Sequence, residues 1–65
     1  SDEQTTYLDS LCEKYTQLND LAIGGHEYLQ LLRDIQEEEE ANYLQSLENA
    51  RNAQVEYANS LGSEI

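Results

Sequence analysis

Between His26 and Leu61 the chain contains neither glycine nor proline, and within this stretch a short phrase recurs. The phrase is Tyr-x-x-x-Leu, and its copies are Tyr28–Leu32, Tyr43–Leu47 and Tyr57–Leu61. Residues four apart are stacked neighbours on a helix, where Tyr/Leu pairs contribute roughly 0.2–0.5 kcal/mol each. The copies recur about every four helical turns, so they fall close to one face. We therefore predict one long amphipathic helix over residues 26–61.

A shorter helix is predicted ahead of this stretch, over about residues 6–23. Thr6 is its candidate N-cap, and residues 1–5 are expected to fray. Its apolar positions alternate in steps of three and four residues, which is the seam of a heptad repeat. This predicted seam consists of Leu8, Leu11, Tyr15, Leu18 and Ala22.

The pair Gly24–Gly25 separates the two predicted helices. One glycine can take the left-handed conformation that ends a helix, and the second allows the chain to reverse. Helices joined by so short a connection usually pack antiparallel. The sequence therefore favours an all-α antiparallel helical hairpin over the alternative, a bent but continuous rod.

The long helix carries a broad apolar track that is interrupted once. Its steps average about 3.67 residues, close to an eleven-residue repeat, with a stutter where Glu39 falls on the track. A stripe this broad suits a bundle of three or four helices. The predicted track consists of Tyr28, Leu32, Ile35, Glu39, Tyr43, Leu47, Ala50, Gln54, Tyr57 and Leu61.

The two predicted helices differ in length, so the short one can cover the long one only from about Tyr28 to Leu44. The remaining half needs a different partner. A second, antiparallel copy would close a dimeric four-helix bundle or coiled coil, while a longer parent chain or another protein could also supply the cover. The predicted partner interface consists of Tyr43, Leu44, Leu47, Ala50, Gln54, Tyr57, Ala58 and Leu61.

The chain is small, with 65 residues that form one domain at most. Chains below about 70–80 residues rarely gain more than roughly 3–5 kcal/mol from one core, and a single cysteine allows no internal disulfide. Association is therefore the expected route to stability. Because the sequence begins with Ser rather than Met, we also expect it to be a fragment of a longer chain or to carry a tag remnant, with residues 62–65 frayed.

Fourteen acidic residues against three basic ones give a net charge of −11. Such a surface repels phosphate backbones and anionic lipids, so we expect no nucleic-acid or membrane partner. Basic proteins are the partners that this charge favours. No apolar run approaches the ~20 residues that a membrane span needs, and no signal peptide is evident. With one unpaired cysteine, the chain is expected to be cytoplasmic.

The acidic run Glu37–Glu40 is the first candidate for chemistry. Consecutive residues on a helix point about 100° apart, so most of these carboxylates are expected to be solvated. Glu39, on the apolar track, is the candidate metal ligand. Di-iron bundle proteins use paired Glu-x-x-His motifs, which this sequence lacks, so we expect neither a metal nor another cofactor.

Cys12 and His26 are the remaining candidates for chemistry. Cys12 is expected to be a small, half-buried hydrophobe at the edge of the first helix. His26, the only candidate base, lies roughly 20 Å away if the helix is straight. We therefore expect no enzymatic activity. The Tyr-x-x-Leu motifs at Tyr15–Leu18 and Tyr28–Leu31 are already explained by helical periodicity.

The sequence therefore predicts a protein–protein interaction or oligomerisation module that acts through the apolar stripe of the long helix. Its expected partner is a second copy, forming a homodimer, or a helix of another protein. One alternative is a small acidic inhibitor or adaptor that binds a basic protein. The other alternative is a metal-binding bundle subunit that uses the cluster Glu37–Glu40.

Overall fold

The computed structural model describes residues 2–63, which form two α-helices, α1 (Asp2–Asn19) and α2 (His26–Ser63). The helices pack against each other as an antiparallel hairpin, so the predicted all-α hairpin is confirmed. At 1.5 Å per residue, α1 is about 27 Å long and α2 about 57 Å. The molecule is a rod that measures 62 × 19 × 9 Å. It is two helices thick where α1 lies alongside the first half of α2, and one helix thick beyond.

The helix α1 begins and ends about four residues earlier than predicted. Asp2 and Glu3 lie in its first turn, where carboxylates interact favourably with the positive end of the helix dipole. Residues 2–5 are therefore helical rather than frayed. Thr6 is not an N-cap, because its hydroxyl donates a hydrogen bond of 2.8 Å to the carbonyl of Asp2 within the helix.

At the other end of the hairpin, α2 continues through Gly62 to Ser63, two residues beyond the predicted end. The remainder of the segment expected to fray, residues 64 and 65, lies outside the described part of the chain.

The connection from residue 20 to residue 25 reverses the chain. The amide of Leu21 donates to the carbonyl of Leu18 at 3.2 Å, a three-residue closure that tightens the end of α1 before the glycines are reached. Gly25 then donates to the carbonyl of Ala22 at 3.0 Å, and Gly24 has φ of +81°. These are the features of a type II turn with glycine at its third position. Gly24 therefore permits the reversal, whereas α1 itself already ends at Asn19.

The core of the hairpin is very small. Ile35 is fully buried and Leu18 is 8% exposed, and no other hydrophobic residue in the described range 2–63 is as buried. Half-buried side chains extend this contact to both sides along the seam. They are Tyr7, Leu11 and Leu21 from the first half of the chain, and Tyr28, Leu31 and Leu32 from α2.

The seam of α1 lies one position away from the predicted one. Leu8, Tyr15 and Ala22 are exposed, whereas the half-buried positions are their neighbours Tyr7, Lys14 and Leu21. Both sets have steps of three and four residues, and both contain Leu11 and Leu18. The observed set packs against α2 although it includes a lysine. The aliphatic stem of Lys14 can pack in the contact while its ammonium group pairs with Glu38 of α2.

The packed face of α2 also differs from the predicted track. Glu39 and Tyr43, predicted on the track, are exposed, whereas Glu38 and Asn42 are half-buried beside α1. The packed face therefore follows a regular heptad without a stutter. We call it the seam face, and it consists of Tyr28, Leu31, Ile35, Glu38 and Asn42.

Because α1 starts at Asp2, it covers more of α2 than predicted. Glu3, Gln4 and Tyr7 of α1 line a shallow groove whose other wall reaches Asn49 of α2. The predicted limit of cover was Leu44. Beyond Asn42, however, every α2 side chain through Gly62 is exposed, and beyond about residue 50 the described part of the chain supplies no second helix alongside.

Candidate functional site

The eight residues of the predicted partner interface are all exposed in the hairpin. The large ones are substantially so, from Leu61 at 49% to Tyr57 at 69%. A typical helix of a globular protein buries such a stripe against its own core. Here the side chains near Tyr43 remain on the surface because α1 packs on a different side of α2, and those beyond about residue 50 remain so because α1 does not extend that far.

At 100° per residue, a row of mostly apolar and mostly exposed side chains lies roughly 125° around α2 from the seam face. We call this row the outer stripe. Leu44, Val55 and Tyr57 flank it and are each more than half exposed. The outer stripe consists of Leu29, Leu32, Gln36, Glu40, Tyr43, Leu47, Ala50, Gln54, Ala58 and Leu61.

The outer stripe runs the whole length of α2 rather than only its uncovered half. Leu29, next to the turn, is 55% exposed although α1 lies alongside at this level. The sequence analysis did not separate this stripe from the packed face, because it assigned a single apolar track both to packing on α1 and to binding a partner. The chain instead carries two faces, with Leu32, half-buried, lying between them.

One edge of the α1–α2 contact leads toward the outer stripe. The hydroxyl of Tyr15 donates to Oε1 of Glu39 at 3.2 Å, and Glu39 lies between the seam face and the outer stripe. This hydrogen bond raises the pKa of the Tyr15 hydroxyl above its ordinary value. Leu8, two turns earlier in α1, shares the side of Tyr15 and is 53% exposed. The two side chains therefore add apolar surface beside the stripe.

The opposite edge of the contact is held by charge. Nζ of Lys14 lies 2.5 Å from Oε2 of Glu38, and the two side chains are only 33% and 22% exposed. The hydrogen bond from Lys14, and to a smaller extent one from Ser10, holds the pKa of Glu38 below its ordinary value. The same pair raises the pKa of Lys14. This edge fixes the register of α1 on α2 and leaves the outer stripe free.

These two cross-helix pairs were missed by sequence analysis, although a signal for them exists. Each joins residues 24 positions apart, as Lys14 to Glu38 and Tyr15 to Glu39. In an antiparallel hairpin, residues roughly equally far from the turn face each other. These pairs are centred on residues 26 and 27, so a reversal placed near Gly24 predicts their level only to within about one helical turn. The pairing depended on choosing the correct seam, which periodicity alone left ambiguous.

The acidic run Glu37–Glu40 does not converge on a common point. Glu38 binds Lys14 and Glu39 accepts from Tyr15, on opposite edges of the contact. Within residues 2–63, no three His, Cys, Asp or Glu side chains are grouped so that they could hold a metal ion. The geometry therefore gives Glu39 the role of a hydrogen-bond acceptor.

Cys12 and His26 lie on separate parts of the hairpin. Cys12 is exposed rather than half-buried as predicted, because the seam is rotated away from it. His26 is also exposed and opens α2 next to the turn. Cys12 lies about two turns from the end of α1, so helix geometry separates the two side chains.

Among the described residues, neither helix has a segment long and apolar enough to cross a lipid bilayer. No family model, no curated protein and no solved structure matches the chain. We therefore infer function from the exposed surface of the hairpin.

Proposed function

We propose that the protein is an interaction module that binds a helix of a partner along the outer stripe of α2. The observation that carries this proposal is the row of large side chains, Tyr43, Leu47 and Leu61 among them, each about half exposed or more on one face. Amphipathic helices recognise one another through anchors spaced by three and four residues, which is the spacing of the stripe.

The energetics favour occupation of this face. Fully burying a leucine contributes roughly 1.5–3 kcal/mol, so covering the exposed half of each large stripe residue contributes on the order of 1 kcal/mol per side chain. Summed along the stripe, this gain is comparable to what the two-residue core of Leu18 and Ile35 can supply. A hairpin with so small an interior gains much of its stability from the partner.

Charge narrows the class of partner. The net charge of −11 opposes binding to nucleic acid and to anionic lipid, both of which carry dense negative charge. An apolar row bordered by charged side chains fits a protein surface instead, with apolar anchors at the centre and charged groups at the rim.

The test is site-specific photocrosslinking in cells that express the chain. A photoreactive phenylalanine replaces Leu47 on the outer stripe, and the matched control replaces Asn52, which is also exposed and points about 140° away from Leu47 on the same helix. We expect position 47, and not position 52, to give a discrete crosslinked band that contains the chain joined to a second copy or to another protein. Equal and diffuse crosslinking from both positions would contradict the proposal.

A further inference from the structure

We infer that the partner of the outer stripe is a second copy of the chain, bound antiparallel about a two-fold axis at Gln45. This inference rests on the proposed function and names its partner. It is carried by two features of α2: the order of residues along the stripe, and the position of Arg51 relative to the acidic run.

The outer stripe reads the same from either end. From Leu29 to Leu61 its steps are 3, 4, 4, 3, 4, 3, 4, 4 and 3 residues, with the midpoint at residue 45. A two-fold axis through that point places residues whose numbers sum to 90 opposite each other. Leu29 then meets Leu61 of the second copy at both ends of the contact.

The side chains brought together in this way are compatible in kind. Tyr43 meets Leu47 of the second copy at the centre, so the most apolar part of the stripe meets itself. Gln36 meets Gln54, and two amides can donate to and accept from each other. The stripe is thus self-complementary in both spacing and residue type.

Charge would oppose bringing two chains of −11 together unless cations face carboxylates. Arg51 borders the stripe and makes no ion pair in the described part of the chain. Glu40 lies at the edge of the stripe on the side of Arg51, and Glu37 borders the stripe on that same side. In an antiparallel two-fold pair, equal sides of the two helices meet, so Arg51 lies between Glu37 and Glu40 of the second copy.

This ion pairing occurs twice, once at each end of the axis. Ala50, next to Arg51, faces Glu40 of the second copy, and its small side chain leaves room for the glutamate stem. Among residues 2–63 no group of side chains, the acidic run included, could hold a metal ion. The acidic run thereby has a role in recognition instead. Two of its four carboxylates serve the hairpin and two serve the dimer.

The axis also explains the length of α2. A partner centred on residue 45 pairs residues 29–61 of each copy, so the half of α2 beyond α1 in one copy lies along the covered half in the other. Each uncovered tail is then matched without any additional segment. In the dimer, the two α2 helices form one continuous antiparallel contact, and one α1 helix flanks each end of it.

The first experiment measures association of the full chain by sedimentation equilibrium at micromolar to millimolar concentration. We expect a dimer, and we expect Arg51→Glu to weaken it by roughly tenfold or more, because two attractive pairs become repulsive. The charge swap Glu40→Arg with Arg51→Glu restores opposite charges across the axis and is expected to recover dimerisation. A swapped variant that is no better than Arg51→Glu alone would overturn the pairing.

A control keeps this test independent of folding. Arg51 lies beyond the reach of α1, so Arg51→Glu is expected to leave the helix content by circular dichroism unchanged. Asn52→Glu adds a negative charge one residue away on the opposite side of α2 and is expected to leave dimerisation nearly unchanged. Equal weakening by both variants would show only general repulsion and would contradict the specific contact.

The second experiment measures orientation with spin labels, in a Cys12→Ser background. Labels at Ser60 of the two copies are expected about 45 Å apart along the helix axis if the copies are antiparallel about residue 45, and labels at Glu48 only about 9 Å apart along it. Short distances at both positions would indicate a parallel pair and overturn the inference. A chain that stays monomeric while Leu47 crosslinks to another protein would overturn the second copy and leave the proposed function standing.

Discussion

Replacement of Ile35 by alanine is expected to remove most of the stability of the hairpin. Ile35 is the only fully buried large side chain in the described range, and it packs where α1 and α2 meet. Truncating a buried isoleucine or leucine to alanine costs roughly 2–5 kcal/mol. The higher helix propensity of alanine offsets less than about 0.7 kcal/mol of this. A core of this size supplies roughly 3–5 kcal/mol in total, so the variant is expected to be largely unfolded or dependent on association.

The matched control is the same substitution at Ile23, which is 89% exposed in the turn. Ile23→Ala removes the same atoms without opening a cavity, so its effect is expected within about 0.5 kcal/mol. Both variants are compared with the wild-type chain by urea denaturation, followed by far-ultraviolet circular dichroism at equal protein concentration. Identical midpoints for the two variants would refute the assignment of Ile35 as the centre of the core.

Two further perturbations test the edge of the seam and the turn. Because the pKa of Glu38 is lowered, its contribution is present above the ordinary value of 4.5 and is lost as pH falls through the lower value in the folded state. In a double-mutant cycle of Lys14→Met and Glu38→Gln, measured by thermal unfolding, the coupling is expected at neutral pH and absent in acid; a coupling independent of acid pH would contradict the ion pair. Gly24→Ala places a Cβ at φ of +81° and is expected to destabilise by about 1 kcal/mol, whereas Gly62→Ala, in open helix, is expected to be neutral or stabilising by about the same amount. Equal melting temperatures for the two alanine variants would rule out strain at the turn.

The hairpin could be predicted from sequence because its determinants are local. Gly24–Gly25 interrupts two segments with helical periodicity, and reversal at a short connection leads to antiparallel packing. The end of α1 was placed too late because glycine was assumed to terminate it. The structure closes the helix at Asn19, where the amides of Asp20 and Leu21 donate to the carbonyls of Gln17 and Leu18, three residues back in each case.

The seam could not be predicted because the choice between two registers is not local. Leu11 and Leu18 belong to both, and counting apolar residues favours Tyr15 over Lys14 at the position between them. The structure places Lys14 beside Glu38, and this pairing is visible only when both helices are considered together. Periodicity on one helix therefore leaves an error of one residue in the packed face.

The candidate interface was predicted residue by residue from the spacing along α2. Its eight side chains are exposed, as an unoccupied binding face requires, and whether a partner binds there remains a prediction for the crosslinking and sedimentation experiments. What spacing could not reveal is that the stripe and the seam occupy different faces. That separation follows from the position of α1, which is set by contacts at Ile35 and Glu38.

The continuation of the seam face beyond α1 bears on what can cover the second half of α2. After Asn42 the same heptad passes through Gln45, Asn49, Asn52, Glu56 and Asn59, all polar. A longer first helix would meet almost no apolar surface along this face and would bury carboxamides and a carboxylate at a cost. The large apolar side chains at the same levels lie instead on or beside the outer stripe. Any cover for this half of α2 would therefore bury apolar surface only from the stripe side, and the extension of α1 along its own seam would not stabilise it.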